Sequence, residues 1–216
     1  MYLLQIWIGF FAVGYCNGLM SNFSKSFGLT FINDDHFFAS VAIFQNIANG
    51  LCRILWGFSY DKIGFKRCFI IIGSAVTLGT AVLPALPLLG QGTTAAKAGY
   101  SSVMVLLYGT FPGIYAIVAA AVADAFGSLH YKANFGLLFT QAVAYSGAIM
   151  IVTQVDLTDL EEVLSIHGLQ IPIIHEALGY TGIFLVAGAC GVVGVLNNCA
   201  IPATLSPQRY KAASLE

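Results

Sequence analysis

The sequence predicts an all-α membrane protein with six transmembrane helices. Three observations carry that expectation: 58% of the 216 residues are hydrophobic and only 9% are charged, mean hydropathy is +0.82, and the apolar residues gather into six runs of about 20 residues, each long enough to cross a bilayer. A soluble domain carries about 25% charged residues, so lipid is the solvent this composition suits. The net charge of -1 and the pI near 6.4 leave no basic footprint for nucleic acid.

The first run, residues 2–23, has no Lys or Arg before it and no clear cleavage site after it, which reads as a spanning helix and not a secretory signal. A chain that starts this close to the membrane is expected to be a fragment of something longer. The other runs are residues 37–60, 68–89, 100–123, 134–155 and 178–201. Residues 1–205 are thus expected to form one six-helix unit, followed by a polar tail, residues 206–216, disordered in the cytoplasm.

Glycines punctuate the spans at Gly14, Gly18, Gly73, Gly79, Gly188, Gly191 and Gly194, where small residues let backbones approach. Contact within the bundle is the expected use of the Gly14 and Gly18 pair, ahead of a dimer face. Pro84, Pro87 and Pro112 mark places to kink a helix or line a cavity. Cys16, Cys52, Cys68, Cys190 and Cys199 lie in apolar runs without CxxC spacing and read as small core residues. The fifth connection is long and acidic, and residues 157–166 within it are a candidate amphipathic turn in a solvated loop.

Loop charges orient the chain. Lys62, Lys66, Arg67, Lys132, Arg209 and Lys211 fall on one face, whereas the other holds Lys25 and Lys97 together with Asp156, Asp159, Glu161, Glu162 and Glu176. The positive-inside rule places both termini in the cytoplasm.

The second span carries the chemistry. Arg53 lies inside it, and an arginine at bilayer depth costs about 2.5–3.5 kcal/mol on insertion scales, which makes it a functional candidate. On a helix turning 100° per residue, Gln45, Asn49, Arg53 and Trp56 fall within about 80° of one another, with Asn46 at the edge. Lipid cannot satisfy such a stripe, so it is expected to face protein or water. With no Asp or Glu inside that span, the Arg53 fork suits a carboxylate. A guanidinium bonded to helix-end carbonyls or snorkelling to the nearby interface is the alternative. Tyr115 and Gln141 are the best candidates for the opposing wall, with Tyr15, Asn17, Tyr108 and Tyr145 behind them as residues that also suit interfacial belts. Asp124, near His130 and Lys132, suits either a gate or a solvated helix end.

After this stripe comes Gly57, Asp61, Lys62, Gly64, Lys66 and Arg67. Gly57 permits close helix contact, Asp61 can accept from N–H groups at the next helix start, and Gly64 permits a left-handed turn. The spacing resembles the GxxxDRxGRKR loop of the major facilitator superfamily. NGLCRILWGFSYDKIG and YGTFPGIYAIVAAAVADAFGSLHYKANFGLLFT further resemble the C-terminal half of its oxalate/formate antiporter-like and monocarboxylate transporter branch.

That resemblance covers nearly all of residues 1–205 as helices seven to twelve. It implies a secondary transporter of small organic anions working by alternating access, with Arg53 binding the substrate carboxylate and the Asp61 turn holding a cytoplasmic gate. It also implies a missing N-terminal six-helix half, or a second copy, as partner, so that residues 1–216 alone are not expected to transport. Two positions depart from the relatives. Asn49 stands where an acidic residue often precedes the arginine, and Gln141, Ala142 and Val143 stand where oxalate carriers place a lysine. One buried cation favours a monoanion such as pyruvate, lactate or formate.

An enzyme is not expected, because neither GxGD nor HExxH occurs, and His36, His130, His167 and His175 are dispersed. Neither a cofactor nor a metal is called for. A non-transporting membrane sensor or an inactive transporter fragment is the alternative reading, separable by measured flux.

Overall fold

The computed structural model describes residues 2–154 and 179–201. The acidic fifth connection, its candidate turn at residues 157–166 and the tail lie outside the described residues. Among the described residues six α-helices follow one another: α1 Tyr2–Leu29, α2 Asp35–Ile63, α3 Phe65–Val82, α4 Thr94–Thr110, α5 Gly113–Gln154 and α6 Gly179–Cys199. They supply six segments long and apolar enough to cross a membrane, of which the fourth is α4 plus the start of α5 as far as Gly127, and the fifth is Leu129–Ile151. The described architecture is all-α, as the apolar runs predict.

Local chemistry explains the breaks. Asp34 caps α2 by accepting from the Phe37 N–H at 3.0 Å, and Thr93 caps α4 by accepting from the Ala96 N–H at 3.2 Å. Gly64 ends α2 and starts α3 with φ 79°, a left-handed value that costs glycine little. Pro84 and Pro87 fall in a 3-10 stretch, Leu83–Leu89, that follows α3. Pro112 sits in the turn that separates α4 from α5, about midway along the fourth apolar segment, where proline offers no N–H to continue a helix. The long α5 changes direction at Gly127, whose φ is 66°.

Helix α1 packs against α3, α5 and α6, whereas α2 packs mainly against α4 and α5. Ile6, Phe10, Val13, Phe69, Ile72, Val76, Leu107, Ile114 and Phe184 form the centre of the shared core. Glycines set the closest approaches. A side chain at Gly14 would meet Tyr145, one at Gly18 would meet Ile149, one at Gly191 would meet Thr77, and one at Gly79 would meet Leu107. The Gly14 and Gly18 pair is therefore a seat for α5 within the bundle. Cys16 and Cys68 are buried in the core; Cys199 is exposed at the end of α6, where the apolar run had suggested burial.

Candidate functional site

Arg53 projects from the middle of α2 and is exposed. Its Nε donates to Asn49 Oδ1 one turn earlier, at 3.0 Å, and its guanidinium carbon lies 6.0 Å from the centre of the Tyr115 ring, within reach of a cation–π attraction. Among the described residues no carboxylate comes within ion-pairing distance of it, since the two ion pairs found there are Lys25–Asp35 and Lys97–Asp34.

Trp56, three residues on, fixes this face of α2. Its indole occupies the elbow between α4 and α5, where a side chain on Gly113 would collide with the ring, and its Nε1–H donates to the Gly109 carbonyl at 3.2 Å. The elbow exists because Pro112 interrupts the helix. Tyr115 follows three residues later and so faces Arg53. The sequence marked Trp56 as part of the stripe but not its socket, which the small residues at 109 and 113 foreshadow.

Tyr115 is itself held among aromatic rings, edge-to-face with Phe10 at 5.4 Å and Phe111 at 5.6 Å and tilted against Phe139 at 6.1 Å between ring centres. Its hydroxyl interacts with that of Tyr145 on the second part of α5. Gln141, one turn before Tyr145, is fully buried, and neither its Nε2 nor its Oε1 has a hydrogen-bond partner among the described residues. Gln45 is half-buried on the same side of α2 as Asn49. The structure thus brings Arg53, Asn49 and Tyr115 together, with Gln141 beyond Tyr145 on the same wall. Tyr15 stacks on Phe11 within α1, and Tyr108 of α4 reaches Ser21 of α1 at 3.5 Å, a contact between two helices.

The exposed surface of α2 has two sectors. One is bulky and apolar: Ile43, Ile47, Leu51, Ile54 and Phe58, each more than half exposed. The other, next to it, is small and polar, comprising Ala39, Asn46, Gly50 and Arg53. A side chain added at Gly50 or Gly57 would meet nothing within 4 Å. Gly57 therefore makes no close helix contact within the described residues, contrary to the sequence expectation.

The turn after α2 behaves differently from its individual residues' expectations. Asp61 and Lys62 are exposed, and the start of α3 carries no side-chain cap, so Asp61 does not serve as one. Lys66 reaches across to the last helix and donates to the Cys199 carbonyl at 2.8 Å, where a cation complements the negative end of α6. Arg67 is exposed. Asp124 accepts from the Tyr60 hydroxyl at 2.6 Å, tying the end of α2 to the first part of α5.

At the opposite end, Asp34 accepts from Lys97 at 2.6 Å. That bond and the Phe37 N–H hold its carboxyl below the usual carboxylate range. Among the described residues no group of three or more His, Cys, Asp or Glu is placed to hold a metal ion.

No established family profile matches the chain. Over 136 residues it is 28% identical to the oxalate:formate antiporter of Oxalobacter formigenes, a match that takes in 62% of this chain and 31% of that protein. The chain therefore spans about a third of the length of this curated relative, which is a transporter and not an enzyme. Six bilayer-length apolar helices and similarity to an antiporter together make this an integral, multi-pass membrane protein.

Proposed function

We propose that the chain is the substrate-binding six-helix unit of a secondary transporter for small organic anions, with Arg53 as the anchor for a carboxylate. One observation carries the reading: a guanidinium at mid-span, steered by Asn49 and Tyr115, with no carboxylate partner among the described residues. Such a charge is retained in a membrane where it meets a ligand or water. The fork geometry matches the two oxygens of a carboxylate, and Gln45 and Gln141 extend the polar wall on either side.

The small, polar sector of α2 supports a further element of the reading. Lipid cannot solvate Asn46 and Arg53, so the sector faces a water-filled seam closed on its far side by a second six-helix unit, either another part of the transporter or a second copy. Rocking of the two units about this seam gives alternating access, with Asp61, Lys62, Gly64 and Arg67 at the cytoplasmic gate and both termini in the cytoplasm. The basic face is the cytoplasmic one on this reading, and Lys66 belongs to it through its hold on α6.

Saturable binding of labelled formate or pyruvate to the purified chain in nanodiscs tests the anchor. Arg53→Gln is expected to weaken binding by about tenfold or more, the effect of a lost charge-assisted hydrogen-bond pair, with Arg53→Lys between the two. Undiminished binding by Arg53→Gln overturns the proposal. Residues 1–216 alone in liposomes are expected to bind without transporting; robust flux from them contradicts the need for a second unit.

A further inference from the structure

We infer that the seam between α1, α3 and α6 holds an internal water molecule at the end of the bundle that carries the basic turn, bound by the side-chain amides of Gln5 and Asn198. The water joins these three helices into one block. The inference stands independently of the Arg53 site.

Asn198 lies in the last turn of α6 and is fully buried, and neither its Oδ1 nor its Nδ2 has a hydrogen-bond partner among the described residues. Gln5 Oε1, near the start of α1, is likewise buried and unpartnered there. Buried amides are ordinarily satisfied. The backbone acceptors nearby are already engaged: the carbonyls of Asn197 and Asn198 accept from the Ala200 and Ile201 N–H groups at 3.1 and 3.2 Å, and that of Cys199 accepts from Lys66. The Gln5 carbonyl accepts from Asn197 Nδ2 at 2.7 Å. This last bond pins the end of α6 to the start of α1, so the Gln5 and Asn198 side chains belong to the same end of one helix pair.

Two glycines shape the place. A side chain on Gly9 of α1 would collide with Asn198 Oδ1 and meet Phe69 at 3.0 Å, so the amide rests directly on the α1 backbone. A side chain on Gly73 of α3 would meet nothing nearer than Val195 at 3.2 Å, with Asn198 Nδ2 at 3.8 Å. Space is therefore left beside the amide on the α3 side. Helical side chains lean toward the N-terminus of their own helix, which carries the Asn198 amide from the end of α6 back into the bundle.

Bonding capacity decides the ligand. The unmet groups are two amide oxygens and one amide nitrogen, all neutral. An ion there would lack a compensating charge in a poorly solvated medium, and the amide N–H would repel a cation. Water donates and accepts, and an internal water typically makes about three hydrogen bonds to polar groups otherwise left unmet. Two bonds donated to the oxygens and one accepted from Nδ2 use every one of these atoms. Between helices in lipid, where no hydrophobic drive presses them together, polar bonds of this kind hold a bundle.

Hydroxyl-radical footprinting by X-ray radiolysis of the full chain in nanodiscs tests the site, because radicals formed from a water held inside a protein oxidise the side chains beside it. Phe69 is fully buried and flanks Gly9 together with Asn198. Phe184, equally buried against the ring of Phe27, is the dry control. Oxidation of Phe69 above that of Phe184 is expected in the wild type, with loss of the difference in Asn198→Leu. Gln5→Leu, which leaves Asn198 in place, is expected to lower Phe69 oxidation as well and carries the test if Asn198→Leu does not fold. Phe69 oxidised no more than Phe184 in the wild type, or oxidised undiminished in the folded variants, overturns the inference. Suppression of Phe69 oxidation by sodium or potassium relative to choline at equal ionic strength would assign the site to a cation and overturns it too.

Discussion

Helices α1 and α2 are neighbours in sequence and nearly equal in length, 28 and 29 residues, but they occupy the molecule in opposite ways. In the most apolar stretch of α1, 56% of residues are buried inside the bundle, against 11% in α2. The same residue type does different work in each. In α1, Gly9, Gly14 and Gly18 are sockets for Asn198, Tyr145 and Ile149, whereas in α2 Gly50 and Gly57 open onto nothing among the described residues. Glycine in α1 thus holds the bundle together. In α2 it leaves a shallow strip beside Arg53, which matters only when something else occupies the strip.

The contrast can be broken most forcefully at the glycines. Gly18→Leu in α1 drives a side chain into Ile149 and is expected to destabilise the protein by about 3 kcal/mol, at the upper end for overpacking, read as a fall in thermal midpoint in detergent. Gly50→Ala in α2 is expected to be neutral or to stabilise by up to about 1 kcal/mol through helix propensity. A stability loss at Gly50 matching that at Gly18 would mean that α2 is packed where the structure leaves it open.

A smaller effect is expected where α2 does join the bundle. Tyr60→Phe removes the hydroxyl that donates to Asp124 and is expected to cost about 1–2 kcal/mol, since the half-buried carboxylate is left without that donor. Unchanged stability would show that Trp56 and its elbow hold α2 on their own.

The smallest effect concerns the far end of α2. Because Lys97 and the Phe37 N–H depress the Asp34 pKa, their contribution is present above the ordinary carboxylate pKa of about 3.9 and is lost as pH falls through the lower folded value. The stability difference between wild type and Lys97→Met is expected to be small at pH 7 and to vanish on acidification through that window. A difference that instead grows on acidification contradicts the assignment.

Much of the fold was legible because a bilayer imposes a simple rule: twenty apolar residues make a span. Gly64 permitted a left-handed turn for an equally local reason, whereas Pro112 marked a place either to kink a helix or to line a cavity, and the structure makes it a break. Long-range partnerships were not legible. Nothing near Trp56 in sequence names Gly109 and Gly113 as its socket, and nothing near Lys66 names the Cys199 carbonyl, because these pairs depend on how helices cross. Gly57 was read within the turn motif as permitting close helix contact, but only the packing reveals which glycines face a neighbour. Arg53 stood out from its own span; Tyr115 beside it is a consequence of the elbow.

The central claim is that the Arg53 sector of α2 faces water while the adjoining apolar sector does not. Single cysteines placed in a cysteine-free chain at Asn46 and Gly50, and separately at Leu51 and Ile54, can be challenged with a membrane-impermeant thiol reagent. Labelling at 46 and 50 that a carboxylate substrate suppresses, with 51 and 54 inert, is the expected result. Inert cysteines at 46 and 50, or labelling confined to 51 and 54, would contradict the account.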